Sequence, residues 1–409
     1  MNRMASHVCQ PGEEGGIRSV TAHMGPWPWF APDERAAVDK VLASGSVNYW
    51  TGQEGRLFER EYAAYLRVKH AISLANGTVA LELPLRVWGV GPEDEVIVSP
   101  RTFIASVSCA VLNGARPVFA DVDPDSGNIT AETIERVLTP RTRAIIPVHL
   151  AGWPCDMNPI VSLAERHGIR VLEDCAQAHG ARYKAAPVGS IGHAAAFSFC
   201  QDKIITTGGE GGMLLTRDEQ VWERAWSFRD HGKTWTAVYE RQHGTGFRWV
   251  HDRFGTNWRL TEMQAAIGRL QLEKLDDWVR TRRQHAALLG ERLGRLPAIR
   301  VPVVPDDVYH SRYKCYVYVR PEALRPGWTR DRILTAITER GAPCFVGSCS
   351  EIYRERAFAG TGWAPANPLP TARALGETSL MFLVHPTLSE EYLHQVCDVA
   401  EDVISEATA

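Results

Sequence analysis

The sequence has no continuous apolar run near the roughly 18 to 20 residues that a membrane-spanning helix requires. Its first residues, MNRMASHVCQPGEEGGIRSV, also lack the apolar centre of a signal peptide. There is no dense run of Lys and Arg, and the formal net charge is −3. These absences argue against membrane and nucleic-acid partners and favour small-molecule partners.

Paired cysteines and metal-binding motifs are missing as well. The nine cysteines are odd in number and spread singly along the chain, whereas a disulfide framework uses an even set at regular spacings. Fourteen histidines are present, yet none stands in an H-E-x-x-H or comparable cluster. The sequence therefore predicts reduced thiols, a cytoplasmic location and no metal site.

The composition is typical of a globular chain with two domains. Its 409 residues exceed what one compact core usually supports, and 44% of them are hydrophobic. Between residues 70 and 216, short β-branched runs alternate with helix-like runs, which predicts an α/β domain with a largely parallel sheet. We expect a flexible N-terminal tail at 1–22, a large α/β domain at 23–285 and a smaller α+β domain at 286–409.

A lysine and an aspartate follow two of the predicted strands. Lys203 lies after the strand in FSFCQDKIITTGGEGGMLLT, and Asp174 closes the strand VLED. Ligands collect at the carboxyl ends of strands in such sheets. Pyridoxal 5′-phosphate (PLP) chemistry accounts for both residues, because a lysine amine forms a Schiff base with the aldehyde and a carboxylate keeps the pyridine nitrogen protonated. Singly, a lysine is more often a solvated surface residue and such an aspartate a cap or turn former.

The cofactor phosphate and ring need partners of their own. The triplet NGT at 76–78 opens the helix-like run VALELPL, and the start of a helix offers backbone N–H groups to a phosphate. Phe103 follows a strand that ends at Ser99 and offers a flat ring for stacking. Each signal has an ordinary alternative, a turn for NGT and the core for the phenylalanine. A P-loop is disfavoured because no GK[ST] triplet follows a glycine-rich turn.

The joint order of these segments resembles the DegT/DnrJ/EryC1/StrS family of PLP-dependent aminotransferases, which act on keto sugars and keto cyclitols. The segments are LANGTVALELPL, DEVIVSPRTFIASVSCAVLNGARPVFADVD, VLEDCAQAHGARYKAAPVGSIGHAAAFSFCQDKIITTGGEGGML and FGTNWRLTEMQAAIG. The resemblance implies the fold-type I architecture, with a mostly parallel seven-stranded sheet in the large domain and a smaller α+β C-terminal domain. The segments CQD before Lys203 and TTGGEGG after it depart from the more common family pattern.

The resemblance also implies roles for matching residues. Lys203 would be the Schiff-base lysine and proton shuttle, and Asp174 the partner of the pyridine nitrogen. The other implied cofactor contacts are Gly77, Thr78 and Ser198 to the phosphate, Phe103 to the ring, Gln177 to the phenolic oxygen, and Asn257 to the phosphate of a neighbouring subunit. The last contact implies a homodimer with shared active sites.

Five further residues are candidates for substrate contact, each with an alternative. Tyr49 and Trp50 lie in a Gly-flanked loop and could stack on a sugar or plug a dimer interface. Arg259 could clamp a carboxylate or phosphate, or form a salt bridge. His179 could line the cofactor pocket or be structural, and Tyr313 could lie at the substrate mouth or be an ordinary strand residue.

The predicted function is transfer of an amino group from L-glutamate or L-glutamine to a keto sugar, preferably nucleotide-linked, by ping-pong exchange between PLP and pyridoxamine phosphate. Transfer to a keto cyclitol is the alternative. A sugar dehydratase on this fold typically has His in place of the lysine, and a non-catalytic regulator would tolerate its loss. The presence of Lys203 disfavours both.

Overall fold

The computed structural model describes residues 18–409. Most of the predicted flexible tail, 1–17, lies outside the described residues. The next residues lie on the C-terminal part of the chain: the Val20 N–H donates to the carbonyl oxygen of Arg340 at 2.9 Å, and the Thr21 N–H donates to Gln395 Oε1 at 2.7 Å.

Strands and helices alternate between residues 70 and 174, and a 32-residue helix later leads into the C-terminal part. The strands are β1 (His70–Leu74), β2 (Glu95–Val98), β3 (Arg116–Phe119), β4 (Thr142–Ile146), β5 (Arg170–Asp174), β6 (Arg182–Tyr183), β7 (Ala186–Pro187), β8 (Ala194–Ser198), β9 (Gly212–Thr216), β10 (Ile299–Arg300), β11 (Val308–Tyr309), β12 (Cys315–Val319), β13 (Cys344–Phe345) and β14 (Ser379–Phe382). The α-helices are α1 (Pro32–Ser44), α2 (Glu54–Leu66), α3 (Gly77–Val87), α4 (Ala105–Leu112), α5 (Ala131–Glu135), α6 (Met157–His167), α7 (Glu219–Arg229), α8 (Trp235–Tyr239), α9 (Glu262–Leu293), α10 (Arg330–Glu339), α11 (Pro370–Thr378) and α12 (Glu390–Ala407).

The central sheet has seven strands in the order β1-β9-β8-β5-β4-β2-β3. Its neighbours pair in parallel except β9, which is antiparallel to both β1 and β8. Strands β2, β8 and β9 are buried along their whole length, as expected of a sheet covered by helices on both faces. The predicted mostly parallel seven-stranded sheet is therefore confirmed, and its parallel strands end at one edge.

The C-terminal part forms a second sheet, β10-β12-β14-β13, whose pairs are antiparallel. Its apolar core combines these strands with α10, α12 and the end of α9. Helix α9 begins after Thr261, whose hydroxyl accepts from the Gln264 N–H, and it runs unbroken past the predicted domain boundary at 285. Strand β11 returns to pair with β6 of the first part. The exact boundary stays a prediction.

Within residues 18–409, no helix combines the length and the apolar character that crossing a membrane requires.

Candidate functional site

A cavity of about 550 Å³ opens where the carboxyl edge of the central sheet meets the C-terminal part. Both parts contribute to its wall, because residues 102–104, 177 and 202–203 line it together with residues 313, 314, 316, 345, 347–349, 381 and 383. Four of the residues singled out in the sequence line it: Phe103, Gln177, Lys203 and Tyr313.

The Lys203 side chain lies in this cavity and is mostly shielded from solvent, with 17% of its surface exposed. Its Nζ is 3.3 Å from Asp202 Oδ1 and 5.2 Å from the centre of the Tyr313 ring. The Lys203 main chain is fixed from the other side, where the Trp27 indole N–H donates to its carbonyl oxygen at 3.1 Å. The amine is thus held at the sheet edge beside one carboxylate and one aromatic ring.

Asp174 is the last residue of β5, the strand next to β8, and is almost fully buried. The Ser106 hydroxyl donates to its Oδ2 at 2.6 Å, and the Ala176 N–H donates to its Oδ1 at 3.1 Å. Burial raises the pKa of this carboxyl, while the Ser106 hydrogen bond acts against the rise. The Ser106 oxygen also shares a hydrogen bond of 2.7 Å with Thr102, which fixes the direction of the carboxylate.

Helix α3 begins beside Ser198 with an unusually close approach. The Asn76 side chain caps it by accepting from the Val79 N–H at 3.0 Å. A Cβ on Gly77 would lie 2.5 Å from the Ser198 Cβ, so only glycine permits this contact. Because the first N–H groups of a helix have no partner within it, those of Gly77 and Thr78 are available to an anion next to the Ser198 hydroxyl.

We expect Gly77→Ala to weaken phosphate binding and to destabilise the protein by about 1–3 kcal/mol, because Ser198 or the helix start must move. Gly290→Ala is the matched control, since a Cβ there meets Val301 at an ordinary 3.5 Å. Thermal unfolding and PLP titration of the apoenzyme measure the two effects. Equal unfolding temperatures and equal PLP affinities in the two variants would contradict a phosphate site at Gly77 and Ser198.

Two other cavity residues present the chemistry that a planar cofactor requires. The Phe103 side chain is 70% exposed and lines the cavity, so a ring face is open to stacking. Gln177 Oε1 accepts from the Ala151 N–H at 2.7 Å, which leaves its amide N–H groups as the donors it can offer.

Three predicted residues instead cluster around buried Asp230, away from the cavity of their own chain. The Trp50 indole N–H donates to Asp230 Oδ2 at 2.7 Å, and Arg259 Nη1 lies 2.6 Å from Oδ1. Asn257 pairs with Asp230 through the main chain. For Arg259 the structure shows the salt bridge that was the alternative to a ligand clamp. The roles of Trp50 and Asn257 toward a ligand stay predictions.

The expectation that Tyr49 and His179 face a substrate needs correction, because both side chains are buried in this structure. Tyr49 is 2% exposed and donates to Glu59 Oε2 at 3.0 Å. His179 has no exposed surface, and its two nitrogens lie 2.9 Å from the Tyr62 hydroxyl and the Ser198 carbonyl oxygen. Burial lowers the pKa of His179 to about 3, so the ring is neutral and supports the main chain at Ser198.

One group of possible metal ligands occurs among the residues that the structure describes: His149, Glu173 and Cys175, all buried. The His149 nitrogens are 3.1 Å from Glu173 Oε2 and 2.9 Å from the Cys155 N–H. Glu173 also accepts from three main-chain N–H groups, at 189, 191 and 192. These hydrogen bonds give His149 and Glu173 a structural role, and the absence of a metal stays a prediction.

A sequence profile of the DegT/DnrJ/EryC1/StrS aminotransferase family matches residues 30–401. The chain belongs to this family. A dTDP-3-amino-3,4,6-trideoxy-alpha-D-glucose transaminase of Streptomyces venezuelae is 36% identical over 90% of this chain and 91% of its own. A UDP-N-acetyl-3-dehydro-alpha-D-glucosamine 3-aminotransferase of Acidithiobacillus ferrooxidans is also 36% identical, over 90% of this chain and 94% of its own.

A solved aminotransferase from Psychrobacter cryohalolentis is 52% identical and superposes with a TM-score of 0.92, over 94% of this chain and 100% of its own. Family and architecture together confirm the predicted fold-type I, PLP-dependent transaminase. The site also fits the cofactor on its own geometry. It offers an amine, a buried carboxylate that a pyridinium would neutralise, an open aromatic ring and a helix start that a Cβ would obstruct.

Sequence reasoning missed three polar residues of this transaminase site. Asp202 accepts a hydrogen bond from the Tyr313 hydroxyl, and Lys203 and Tyr313 lower its pKa although burial acts in the opposite direction. Lys314 lines the cavity beside Tyr313, and Ser106 supports Asp174. The departure of the tripeptide CQD from the family pattern was a possible signal for Asp202, whereas nothing local in the sequence distinguished Lys314 or Ser106.

Proposed function

We propose that this transaminase transfers an amino group from L-glutamate or L-glutamine to a nucleotide-linked keto sugar, by ping-pong kinetics. The observation that carries the proposal is that Asp174 ends β5 while Lys203 follows β8, the neighbouring strand, and lines the open cavity. The two 36% identical relatives, named for dTDP- and UDP-linked sugars, support this acceptor class.

Bound PLP supplies the electron sink that stabilises negative charge at the reacting substrate carbon. Asp174 would hold the proton on the pyridine nitrogen, and Gly77, Thr78 and Ser198 would bind the phosphate. Lys203 would hold the cofactor through its amine, and the freed amine would accept and return the proton of the reacting substrate carbon. Asp202 stabilises the Lys203 ammonium at 3.3 Å during that step.

We also propose a homodimer with shared active sites. Asn257 and Arg259 lie outside the cavity of their own chain, close to a segment with strongly exposed apolar side chains. Phe247, Trp249 and Phe254 on that segment are 74, 76 and 100% exposed, and such a patch is typical of an interface. A molar mass of a single chain by light scattering would contradict the dimer.

The acceptor class is tested by running the second half-reaction backwards. We expect nucleotide-linked amino sugars to convert the PLP form of the enzyme to its pyridoxamine phosphate form, with free amino sugars and aminocyclitols reacting much more slowly. Absorbance of the bound cofactor follows the conversion, and L-glutamate is the positive control. Conversion by an aminocyclitol at the same efficiency as by the nucleotide-linked sugars would favour the cyclitol alternative.

A further inference from the structure

Lys314 immediately precedes β12 and brings a second amine into the cavity of Lys203. The Nζ atoms of Lys203 and Lys314 lie 5.2 and 4.7 Å from the centre of the same Tyr313 ring. Both amines therefore lie close to one aromatic ring in the wall of the same cavity.

The Lys314 charge has no carboxylate partner in the part of the chain that the structure describes. Among residues 18–409, no carboxylate oxygen lies within 4.0 Å of its Nζ. Asp202, the acid whose charge acts on Lys314, is already engaged by the Lys203 amine and the Tyr313 hydroxyl. A partly buried ammonium without a counter-ion is costly, which is why such groups usually mark a binding or catalytic role.

The surroundings add to this excess of positive charge. The Arg282 guanidinium is 2% exposed behind Tyr313, donates to the Tyr313 carbonyl oxygen at 3.2 Å, and has no carboxylate partner in the described chain. Burial lowers the pKa of Lys314 to about 8, Asp202 acts in the opposite direction, and Arg282 and Lys203 lower it further. An anion bound here would relieve both the burial cost and the repulsion between cations.

We propose that Lys314 binds a carboxylate of the amino donor, and of the 2-oxo acid that the donor becomes, and so determines donor specificity. This inference rests on the proposed function. In an amino acid the α-carboxylate is attached directly to the carbon that reacts at Lys203, so its cation must lie beside that lysine. The diphosphate of a nucleotide sugar is separated from the keto carbon by part of the sugar ring. Arg259, the other candidate for this contact, is held by Asp230 outside the cavity.

The first test is equilibrium binding of glutarate, an unreactive dicarboxylate, to the PLP-loaded enzyme by calorimetry. Lys314→Met keeps the length of the side chain and removes its charge, and we expect it to weaken binding about tenfold or more. Lys314→Arg keeps the charge and should retain most of the affinity. Lys40→Met, at an exposed position on α1, is the matched control and should bind like the unchanged enzyme.

The second test compares donors in a single turnover. Lys314→Met should raise the L-glutamate concentration needed for half-maximal conversion by a similar factor, yet change the reaction of benzylamine, which has no carboxylate, less than about twofold. Equal losses with both donors, or glutarate affinity that is unchanged in Lys314→Met or unmeasurable in the unchanged enzyme, would overturn the proposal. If the unchanged enzyme reacts with no amine while glutarate binding still depends on Lys314, the proposed function fails and the carboxylate site stands.

Discussion

Lys203→Ala is expected to lower the rate of the L-glutamate half-reaction by about 10⁴-fold or more, because it removes both the covalent link to PLP and the proton-transfer group. The absorbance of the lysine-linked cofactor should disappear with it. Single-turnover spectroscopy at saturating PLP measures the rate, and the spectrum of the purified protein reports the link.

The fold should survive this change. Lys203 contributes one ion pair, and its neighbour Asp202 keeps the hydrogen bond from Tyr313. We expect the apoenzyme of the variant to unfold within a few degrees of the unchanged apoenzyme. Lys40→Ala on the surface of α1 serves as the control for mutation of a lysine in general. A Lys203→Ala protein that transaminates at the unchanged rate would refute the assignment of this lysine.

Asp174→Asn is expected to act in opposite directions on catalysis and on the stability of the apoenzyme. Loss of the carboxylate leaves the pyridine nitrogen without its charge partner, and we expect the half-reaction to slow by about 10²–10³-fold. The apoenzyme should become more stable by about 1 kcal/mol at neutral pH. Burying a charged carboxylate without a neighbouring cation costs free energy, and the neutral amide avoids this cost.

The sign of the pH dependence follows from the pKa of Asp174, which burial raises above its ordinary value. A raised pKa means that the folded apoenzyme binds this proton more tightly than the unfolded chain. The carboxyl therefore costs stability as the pH rises from the ordinary aspartate pKa toward the raised value, and the full cost applies above that range. The gain from Asp174→Asn should accordingly be present at neutral pH and vanish in acid.

Urea unfolding of the two apoenzymes across the pH range measures this difference. Asp39→Asn, at an exposed position on α1, is the control and should leave both the stability and the half-reaction unchanged. An Asp174→Asn apoenzyme that is less stable at neutral pH would mean that the hydrogen bonds from Ser106 and Ala176 outweigh the cost of burying the charge.

Much of the cofactor site could be predicted because its residues lie in short segments with recognisable local sequence patterns. Strand periodicity places Asp174 and Ser198 at the ends of β5 and β8, and the parallel arrangement brings such ends to one edge. Asn76 and Gly77 mark a helix start in the same way. These are local properties, since the neighbours of each residue along the chain determine whether it ends a strand or begins a helix.

Contacts between distant segments could not be predicted from one sequence. Ser106 meets Asp174 from 68 residues away, and Tyr313 meets Asp202 from 111 residues away. The same holds for the burial of Tyr49 and His179. Their positions in Gly-flanked or polar segments of the sequence suggested exposed side chains. In the structure, the packing of α2 against the sheet encloses Tyr49 beside Glu59 and His179 beside Tyr62.

The sequence by itself therefore determined the α/β architecture, the family and the residues at the strand ends that serve the cofactor, because hydrophobic periodicity and turn chemistry act over a few residues. Only the tertiary structure decided which side chains share the cavity with Lys203. It brought Tyr313 and Lys314 from the C-terminal part into the cavity that Asp202 and Lys203 line, and it held Arg259 at Asp230 instead. Charge pairing across such distances in the chain depends on how the two parts pack against each other, and that packing has no local signature in the sequence.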